Sequence, residues 1–405
     1  MVSSVFTCGF ECGDNSALGI HWALVGGSVS IETTTVRTGL RAVRCNPSAS
    51  SESIRSTGAH TSTIRHIGRV YVYFVALPSA DTGLVTHGSG SAAPQVRFKQ
   101  SDSKIYSAVS TTFGATGVAV TTGQWYRLDY DFNVNTAGAD FCDVQVDGVA
   151  CGQATAAGTS TGSASDIIGV VNTATADVIF DDVILSSTAA DYPIGAGFVK
   201  SYIPNADGAH NLVGGANDFE RSATSVAITN STTDAYDLIN ERPLPTTEVD
   251  FINAVAPPTT DYVEWAYEDS TEADAPRAVE AILVTHDAGS AGTCAYSVTL
   301  REHAGGTTAD IFNSTQNVGA TITYRRAHFA TVPGTSDAWT TTKFNALRSR
   351  FTVTDASPDI YLDAAMLEAE FPEAAAVEPE YPNWVRTQHV PGMRLHPGPQ
   401  IGRSW

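Results

Sequence analysis

The sequence lacks a long hydrophobic run, a surplus of basic residues and a secretory signal at its start. No apolar run approaches the ~20 residues that a membrane helix needs, so we expect no membrane insertion. Residues 1–5 have neither a basic stretch nor a long apolar core, which predicts that no secretory signal is present. The formal net charge of -20 argues against nucleic-acid binding, because phosphate contacts need a basic surface.

Charged residues are scarce as well, at 16% against 42% hydrophobic residues. This composition excludes a disordered acidic chain, which would be rich in charge and poor in aromatic residues. The 405 residues exceed one ordinary domain, so two or three folded units are expected.

Helical periodicity is almost absent, and short runs of alternating polar and apolar residues take its place. In residues 125–134, Tyr126, Leu128 and Tyr130 share one face, whereas Asp129 and Asp131 lie on the other, as in a half-buried antiparallel strand. The strands predicted in the first half are 70–77, 95–99, 105–109, 125–134, 141–150 and 178–185. Frequent short strands with glycine-rich turns indicate a two-sheet sandwich over residues 1–190.

The pattern breaks at residues 186–196, which predicts a boundary, and a second unit follows over 197–371. Its predicted strands are 261–267, 278–285, 294–301, 321–330 and 360–370, with one short helix at 341–346. The predicted fold class is therefore all-β, with two antiparallel, jelly-roll-like β-sandwich domains.

Residues 372–405 are rich in proline and show no alternation, so they are predicted to form an extended C-terminal arm. The arm contains Pro382, Trp384, Pro391 and Trp405. Two tryptophans favour docking on another chain, since aromatic anchors concentrate binding energy. Disorder is the alternative.

The six cysteines are Cys8, Cys12, Cys45, Cys142, Cys151 and Cys294. Buried thiols are the first interpretation; disulfides formed later and a metal site remain open. A two-residue turn at Asp147-Gly148 would pair Val146 with Val149 and Cys142 with Gln153. That register leaves Cys142 and Cys151 diagonal and poorly placed for a disulfide.

Candidate site residues are few. Asp181 and Asp182 are weak candidates for calcium, because hard cations prefer clustered oxygen atoms. Adjacent strand residues point to opposite faces, so the structural alternative is that one carboxylate is hydrogen-bonded and the other faces solvent. The ten histidines are scattered without a metal-binding motif.

Catalytic motifs are weaker still. Ser160 lies in a G-x-S-x-G match that lacks the strand and helix of a nucleophile elbow. Glu248 and Asp250 would share a strand face, as in sandwich glycosidases, but a third carboxylate is missing at Ile252. We therefore expect no catalytic residues and no cofactor.

Two parts of the sequence resemble known proteins. Residues 5–185 resemble the concanavalin A/laminin-G-like jelly roll, through Phe10-Glu11, residues 37–44, Gln124-Trp-Tyr-Arg-Leu128, Val144-Gln-Val-Asp-Gly148 and Phe180-Asp-Asp-Val-Ile-Leu185. Residues 198–371 resemble the downstream half of tailed-bacteriophage virion proteins, through residues 202–210, 236–241, 257–263 and 339–347.

The resemblance implies a non-enzymatic structural component of a tailed-phage virion, in the tail, a fibre or the capsid surface. Such a protein would be made in the bacterial cytoplasm, would form a homo-oligomer through its arm and would contact other virion proteins. A lectin-like module that binds surface glycans for host attachment is the first alternative. A polysaccharide-degrading glycoside hydrolase is the second.

Overall fold

Four antiparallel β-sheets build the part of the chain that the structure describes. The computed structural model describes residues 4–11, 22–56, 59–60, 62–88, 93–134, 138–157, 162–213, 219–221, 226–242, 244, 250–255, 260–287, 292–303, 306–318, 322–355 and 360–373. The predicted arm from residue 374 onward, with Pro382, Trp384, Pro391 and Trp405, lies outside these residues. Among the described segments, no helix has the length and hydrophobicity that crossing a membrane requires.

The first two sheets occupy residues 4–186. Their strands are β1 (Ser4–Cys8), β2 (Trp22–Gly26), β3 (Ser30–Glu32), β4 (Ala42–Cys45), β5 (Ser50–Ser56), β6 (Arg65–Ala76), β7 (Thr82–His87), β8 (Pro94–Lys99), β9 (Lys104–Val109), β10 (Thr112–Phe113), β11 (Val118–Ala119), β12 (Trp125–Asn133), β13 (Ala139–Val146), β14 (Val149–Ala150), β15 (Ala154–Ala157), β16 (Asp166–Ala174) and β17 (Asp177–Ser186). We call these two sheets the first sandwich.

The sheets of the first sandwich face each other across one hydrophobic core. One sheet has the order β14-β13-β12-β6-β17-β4-β3, with β1 beside β17 and β15 beside β13; the other has the order β10-β9-β8-β7-β16-β5-β2, with β11 beside β9. Val72 and Leu128 from the first sheet meet Val96 and Phe98 from the second in this core. Burying each such side chain contributes roughly 1.5–3 kcal/mol, which makes the core the main source of stability.

The other two sheets occupy residues 197–372 and form the second sandwich. Its elements are β18 (Gly197–Tyr202), β19 (Pro204–Asp207), β20 (Phe219–Arg221), β21 (Val226–Ala227), β22 (Ile252–Ala254), β23 (Tyr262–Tyr267), β24 (Ala278–Asp287), β25 (Gly292–Arg301), β26 (Thr308–Val318), β27 (Thr323–Phe329), β28 (Arg348–Asp355) and β29 (Ile360–Pro372), with helix α1 (Thr341–Asn345). Short 3₁₀ turns lie at Ala189–Asp191 and Ala235–Leu238.

The second sandwich has a hydrophobic core of its own. One sheet has the order β21-β20-β22-β29-β24-β27 with β18 beside β29, and the other has the order β19-β23-β28-β25-β26. Leu283 and Leu367 of the first of these sheets pack with Trp265 and Phe351 of the second. The predicted all-β fold class, with antiparallel sandwiches, is therefore confirmed.

The alternating runs identified in the sequence coincide with strands. The predicted strands at 70–77, 95–99, 105–109, 125–134, 178–185, 261–267, 278–285, 294–301, 321–330 and 360–370 correspond to β6, β8, β9, β12, β17, β23, β24, β25, β27 and β29. The helix predicted at 341–346 corresponds to α1, which begins after Thr340, whose side chain accepts a hydrogen bond from the Lys343 N–H. The strands that were not predicted are β1–β5, β7, β10, β11, β15, β16, β18–β22, β26 and β28.

The expectation of a half-buried β12 is wrong at the centre of the strand, where the polar face is also covered, although Trp125, Arg127 and Asn133 stay partly exposed. Asp129 and Asp131 are 0% and 4% exposed. The backbone N–H of Gly195, from the segment between the sandwiches, donates to Asp129 Oδ1 at 2.9 Å. Arg65 pairs with Asp131 at 2.6 Å. Hydrogen-bonded partners thus remove the cost of burying these carboxylates.

The cysteine hairpin differs from its prediction at one position. Val146 pairs with Val149 as expected, but Cys142 pairs with Ala154 rather than with Gln153, because Cys151–Gln153 leave the ladder between β14 and β15. Cys8, Cys45, Cys142 and Cys151 are free and buried, as the thiol interpretation expects. Cys12 and the side chain of Cys294 lie outside the part of the chain that the structure describes.

The two sandwiches belong to one compact unit, Met1 to Glu373. The outward-facing Arg69 of β6 forms a 2.7 Å ion pair with Glu370 of β29, and both side chains are fully buried. Arg69 also donates to the Gly195 and Asp182 carbonyls, each at 3.3 Å. The contact surface between the sandwiches is therefore built from buried charge as well as from apolar packing.

Candidate functional site

A pocket of about 300 Å³ lies between the two sandwiches. That volume is at the lower end of the ~300–1,000 Å³ typical of small-molecule sites. The first sandwich contributes Glu11, Gly39 and Leu40, and the second contributes Lys200, Ser201, Tyr202, Arg242, Asp269, Thr271 and Glu272. Most of these side chains are polar or charged, so the pocket suits a polar ligand of small size.

The wall from the first sandwich is shaped by Glu11 and a glycine turn. Glu11 Oε1 accepts hydrogen bonds from the backbone N–H groups of Leu40 at 2.8 Å and Arg41 at 3.1 Å. Gly39 has φ +65°, and a Cβ added there would lie 2.1 Å from Glu11 Oε1. Only glycine satisfies both the left-handed backbone and this close approach.

A second carboxyl group lies against Glu11. The backbone N–H of Glu11 donates to Glu368 Oε1 at 3.1 Å, and neither residue has exposed surface. Burial raises the pKa of Glu11 to about 7, although the Leu40 and Arg41 N–H groups oppose the shift. Burial also raises the pKa of Glu368 to about 8, and the charge of Glu11 adds to that shift. Near neutral pH these carboxyls therefore carry protons that ordinary glutamates have lost.

The wall from the second sandwich supplies donors. Arg242 Nη2 donates to the Ser201 carbonyl at 3.0 Å and to Glu268 Oε2 at 2.7 Å. The Lys200 ammonium pairs with the Glu272 carboxylate. In the described part of the chain, Arg242 Nε and Glu11 Oε2 are both buried and meet no hydrogen-bond partner. The lining thus holds one unsatisfied donor and one unsatisfied carboxyl oxygen.

The predicted calcium candidates Asp181 and Asp182 lie at the contact between the sandwiches. A β-bulge in β17, with Asp182 at φ +52°, turns both carboxylates toward residues 37–38, so the expectation that they face opposite ways is wrong. Asp181 Oδ2 accepts from the Arg37 N–H at 2.9 Å. Asp182 Oδ2 accepts from Arg37 Nη1 at 2.7 Å, and its Oδ1 from the Val199 N–H at 2.6 Å.

Protein donors thus reach both carboxylates, and both are fully buried, so the structural alternative is wrong in placing one of them toward solvent. Burial raises the pKa of Asp181 well above its usual range, and the adjacent Asp182 adds to the effect. The calcium site stays a prediction. Ser160 and Glu248 lie outside the described residues, and Asp250 is exposed.

The structure brings together three histidines that are scattered in the sequence. His60, His66 and Asp166 converge in the first sandwich with all three side chains buried, and the His87 ring stacks on His66 with centroids 4.1 Å apart. Burial lowers the pKa of His60. No spacing in the sequence could have revealed this group, because its members come from different strands and only the sheet register juxtaposes them.

Comparisons with known proteins found similarity among solved structures alone. No family model matches the chain, and no curated protein matches it. Among solved structures, the cellulose induced protein Cip1 is 15% identical, with 45% of this chain and 97% of that chain covered and a TM-score of 0.36.

Two further solved structures carry carbohydrate-related names. Domain 4 of AbnA, a GH43 extracellular arabinanase from Geobacillus stearothermophilus, is 19% identical over 40% of this chain and 75% of that chain, with a TM-score of 0.28. The CBM22 tandem domain of Paenibacillus barcinonensis Xyn10C is 14% identical over 91% of this chain and 97% of that chain, with a TM-score of 0.27. Since each of these three TM-scores is below 0.5, these likenesses assign neither a ligand nor an activity.

The buried carboxyl pair predicts a pH-dependent stability. Glu11 and Glu368 keep their protons in the folded chain at pH values where the unfolded chain has lost them. Their stabilising contribution to the free energy of unfolding is therefore fully present below the ordinary glutamate pKa. It is lost as the pH rises through about 7 for Glu11 and about 8 for Glu368. Each unit of raised pKa corresponds to about 1.4 kcal/mol. Denaturant unfolding at a series of pH values measures this loss.

Glu368→Gln keeps the shape of the side chain without the titration, so this variant is expected to lose less stability between acidic and alkaline pH than the wild type. Glu220→Gln, on the short strand β20, is the matched control and should follow the wild type. If Glu368→Gln also follows the wild type at every pH, the buried carboxyl group does not carry the effect.

Proposed function

We propose that the chain is a non-enzymatic carbohydrate-binding protein, and that the pocket between the sandwiches takes a short glycan. One observation carries the proposal: the lining combines a buried, unsatisfied donor at Arg242 Nε with a buried, unsatisfied carboxyl oxygen at Glu11 Oε2. Unpaired buried polar atoms are costly, so a ligand that satisfies both gains affinity.

Sugar hydroxyl groups fit this requirement better than other ligand classes. Each hydroxyl both donates and accepts a hydrogen bond, which matches a lining of carboxyl and cationic groups side by side. A nonpolar ligand would leave these groups unpaired. Nucleic acid would meet a protein with a net charge of -20.

In this proposal the carboxyl groups of the pocket bind the ligand and do not hydrolyse it. A retaining glycosidase needs two carboxyl groups in different environments, about 5–5.5 Å apart across the scissile bond. Glu272 is paired with Lys200, Asp269 is exposed, and Glu368 is sealed behind Glu11. We therefore assign the pocket no catalytic step.

A blocking variant tests the proposal with little risk to folding. Leu40 lines the pocket and is 52% exposed, so Leu40→Trp should fill the opening without disturbing a core. The wild-type full-length chain is first exposed to an array of neutral and acidic plant and bacterial oligosaccharides. The strongest hit is then titrated by calorimetry, where Leu40→Trp is expected to weaken binding by about tenfold or more, which corresponds to ~1.4 kcal/mol.

Val149→Trp provides the matched control, because Val149 is 57% exposed on a hairpin of the same sandwich and does not line the pocket. It should bind the hit as the wild type does. An array without any hit, or equal affinity for wild type and Leu40→Trp, would overturn the proposal. Cleavage of the bound oligosaccharide would overturn its non-enzymatic part.

A narrower proposal places this binding function on a tailed-phage virion, in a tail, fibre or capsid-surface position, after synthesis in the bacterial cytoplasm. What supports it is the sequence resemblance of residues 5–185 and 198–371 described above. Assembly into a homo-oligomer through Trp384 and Trp405 belongs to the same proposal.

Replacing both arm tryptophans tests the assembly step. Trp384→Ala with Trp405→Ala in the full-length chain is expected to convert the oligomer to monomers in sedimentation velocity, because two aromatic anchors are lost. The Trp384→Phe, Trp405→Phe double variant keeps aromatic anchors and should remain assembled. A wild-type chain that sediments as a monomer would contradict the proposal.

A further inference from the structure

The histidine cluster lies at one end of the first sandwich and joins its two sheets. His66 lies in β6 of one sheet, whereas His87 ends β7 and Asp166 begins β16 in the other, directly opposite each other in register. His60 follows β5 and is held by a 3.0 Å hydrogen bond from its N–H to the Ala164 carbonyl. The loops that connect these strands thus set four side chains against one another.

Two imidazoles converge on a single carboxylate. His60 Nε2 lies 3.0 Å from Asp166 Oδ2, and His66 Nδ1 lies 2.6 Å from Asp166 Oδ1. The two rings are stacked, with centroids 3.6 Å apart. The Tyr130 hydroxyl donates to Asp166 Oδ2 at 2.7 Å. One donor atom from each of His60, His66 and Asp166 lies within 4.8 Å of the others.

The contacts of His66 require a positive centre beside Asp166. Its Nε2 lies 3.1 Å from the Ser62 carbonyl oxygen, which only accepts hydrogen bonds, so Nε2 carries a hydrogen. A neutral imidazole then has its lone pair on Nδ1, which would face the carboxylate oxygen at 2.6 Å. Two lone pairs at that distance repel. Either a proton lies between the two atoms, or both atoms bind one cation, whose bonds of about 2.0–2.2 Å would place them roughly 3.3 Å apart.

The surroundings favour the metal ion. Metal-bound histidines commonly donate their other ring N–H to a carbonyl or hydroxyl group. Here His66 Nε2 faces the Ser62 carbonyl oxygen, and His60 Nδ1 lies 3.4 Å from Ser187 Oγ. Nitrogen and carboxylate donors in this combination suit zinc and related divalent ions. Among the described residues, neither ring nitrogen of the buried His87 makes a hydrogen bond of good geometry. His87 therefore offers a third imidazole that could bind an ion at the cluster.

We propose that His60 Nε2, His66 Nδ1 and the Asp166 carboxylate bind a divalent ion of the zinc class, with His87 as a neighbouring further donor. The site is enclosed, since the four side chains are 5% exposed or less. The ion would therefore have a structural role, fastening β6 of one sheet to β7 and β16 of the other. The proposal is independent of glycan binding, because its residues do not line the pocket between the sandwiches.

The test measures metal directly in the full-length chain. The protein is stripped with a chelator, reloaded separately with Zn²⁺ and Co²⁺, and assayed by elemental mass spectrometry, by thermal melting and by the visible spectrum of the cobalt form. The expected results are one ion bound per chain, a higher melting temperature with Zn²⁺, and cobalt absorption typical of nitrogen and oxygen ligands.

Two variants keep the test decisive. Asp166→Asn preserves the side-chain shape and should abolish loading while the unloaded chain still folds; His66→Gln is the second variant if Asp166→Asn fails to fold. His303→Ala, at an exposed histidine outside the cluster, should load like the wild type. Failure of the folded wild-type chain to take up either ion, together with a doubly protonated His66 in nitrogen NMR spectra, would overturn the proposal in favour of a buried ion pair.

Discussion

The buried ion pair between Arg69 and Glu370 is the constraint on which the arrangement of the two sandwiches depends. Both side chains are fully removed from solvent, and their atoms are 2.7 Å apart. Neither charge could be buried without the other, since an unpaired buried charge costs several kcal/mol. Arg277 approaches the other oxygen of Glu370 at 3.4 Å and donates to the Ile194 carbonyl at 2.9 Å, which extends the pairing to the linking segment. The pair therefore fixes β29 against β6.

The shape and the chemistry of the pocket depend on this contact between the two sandwiches. One wall comes from Glu11, Gly39 and Leu40 and the other from the second sandwich, so any shift between the sandwiches would change the pocket. The same contact removes Glu11 and Glu368 from water. Burial raises the pKa of Glu11 to about 7 and the pKa of Glu368 to about 8, so protons neutralise these two carboxyl groups near neutral pH. A carboxyl group that is partly protonated near neutral pH can both donate to and accept from a sugar hydroxyl.

Local pattern was sufficient to predict the strands but not the sites. The alternation in residues 125–134 predicts β12 because side-chain period is a property of neighbouring residues. Burial of Asp129 depends instead on Gly195, 66 positions away, and no local pattern contains that information. The convergence of His60, His66 and Asp166 likewise depends on register between strands 100 or more residues apart in sequence. Asp181 and Asp182 were predicted as weak calcium candidates, and the bulge that turns both of them toward Arg37 could only be seen in the structure.

Scanning calorimetry of the full-length chain tests the central claim most directly, namely that the buried pair makes the two sandwiches one cooperative body. The account predicts that the wild type melts in a single transition. It also predicts that Arg69→Ala costs about 3–5 kcal/mol and separates the transition into two. Arg221→Ala, which removes an ion pair to the partly exposed Asp234, should leave a single transition within about 1 kcal/mol of the wild type. Two transitions in the wild type that Arg69→Ala leaves unmoved would contradict the account.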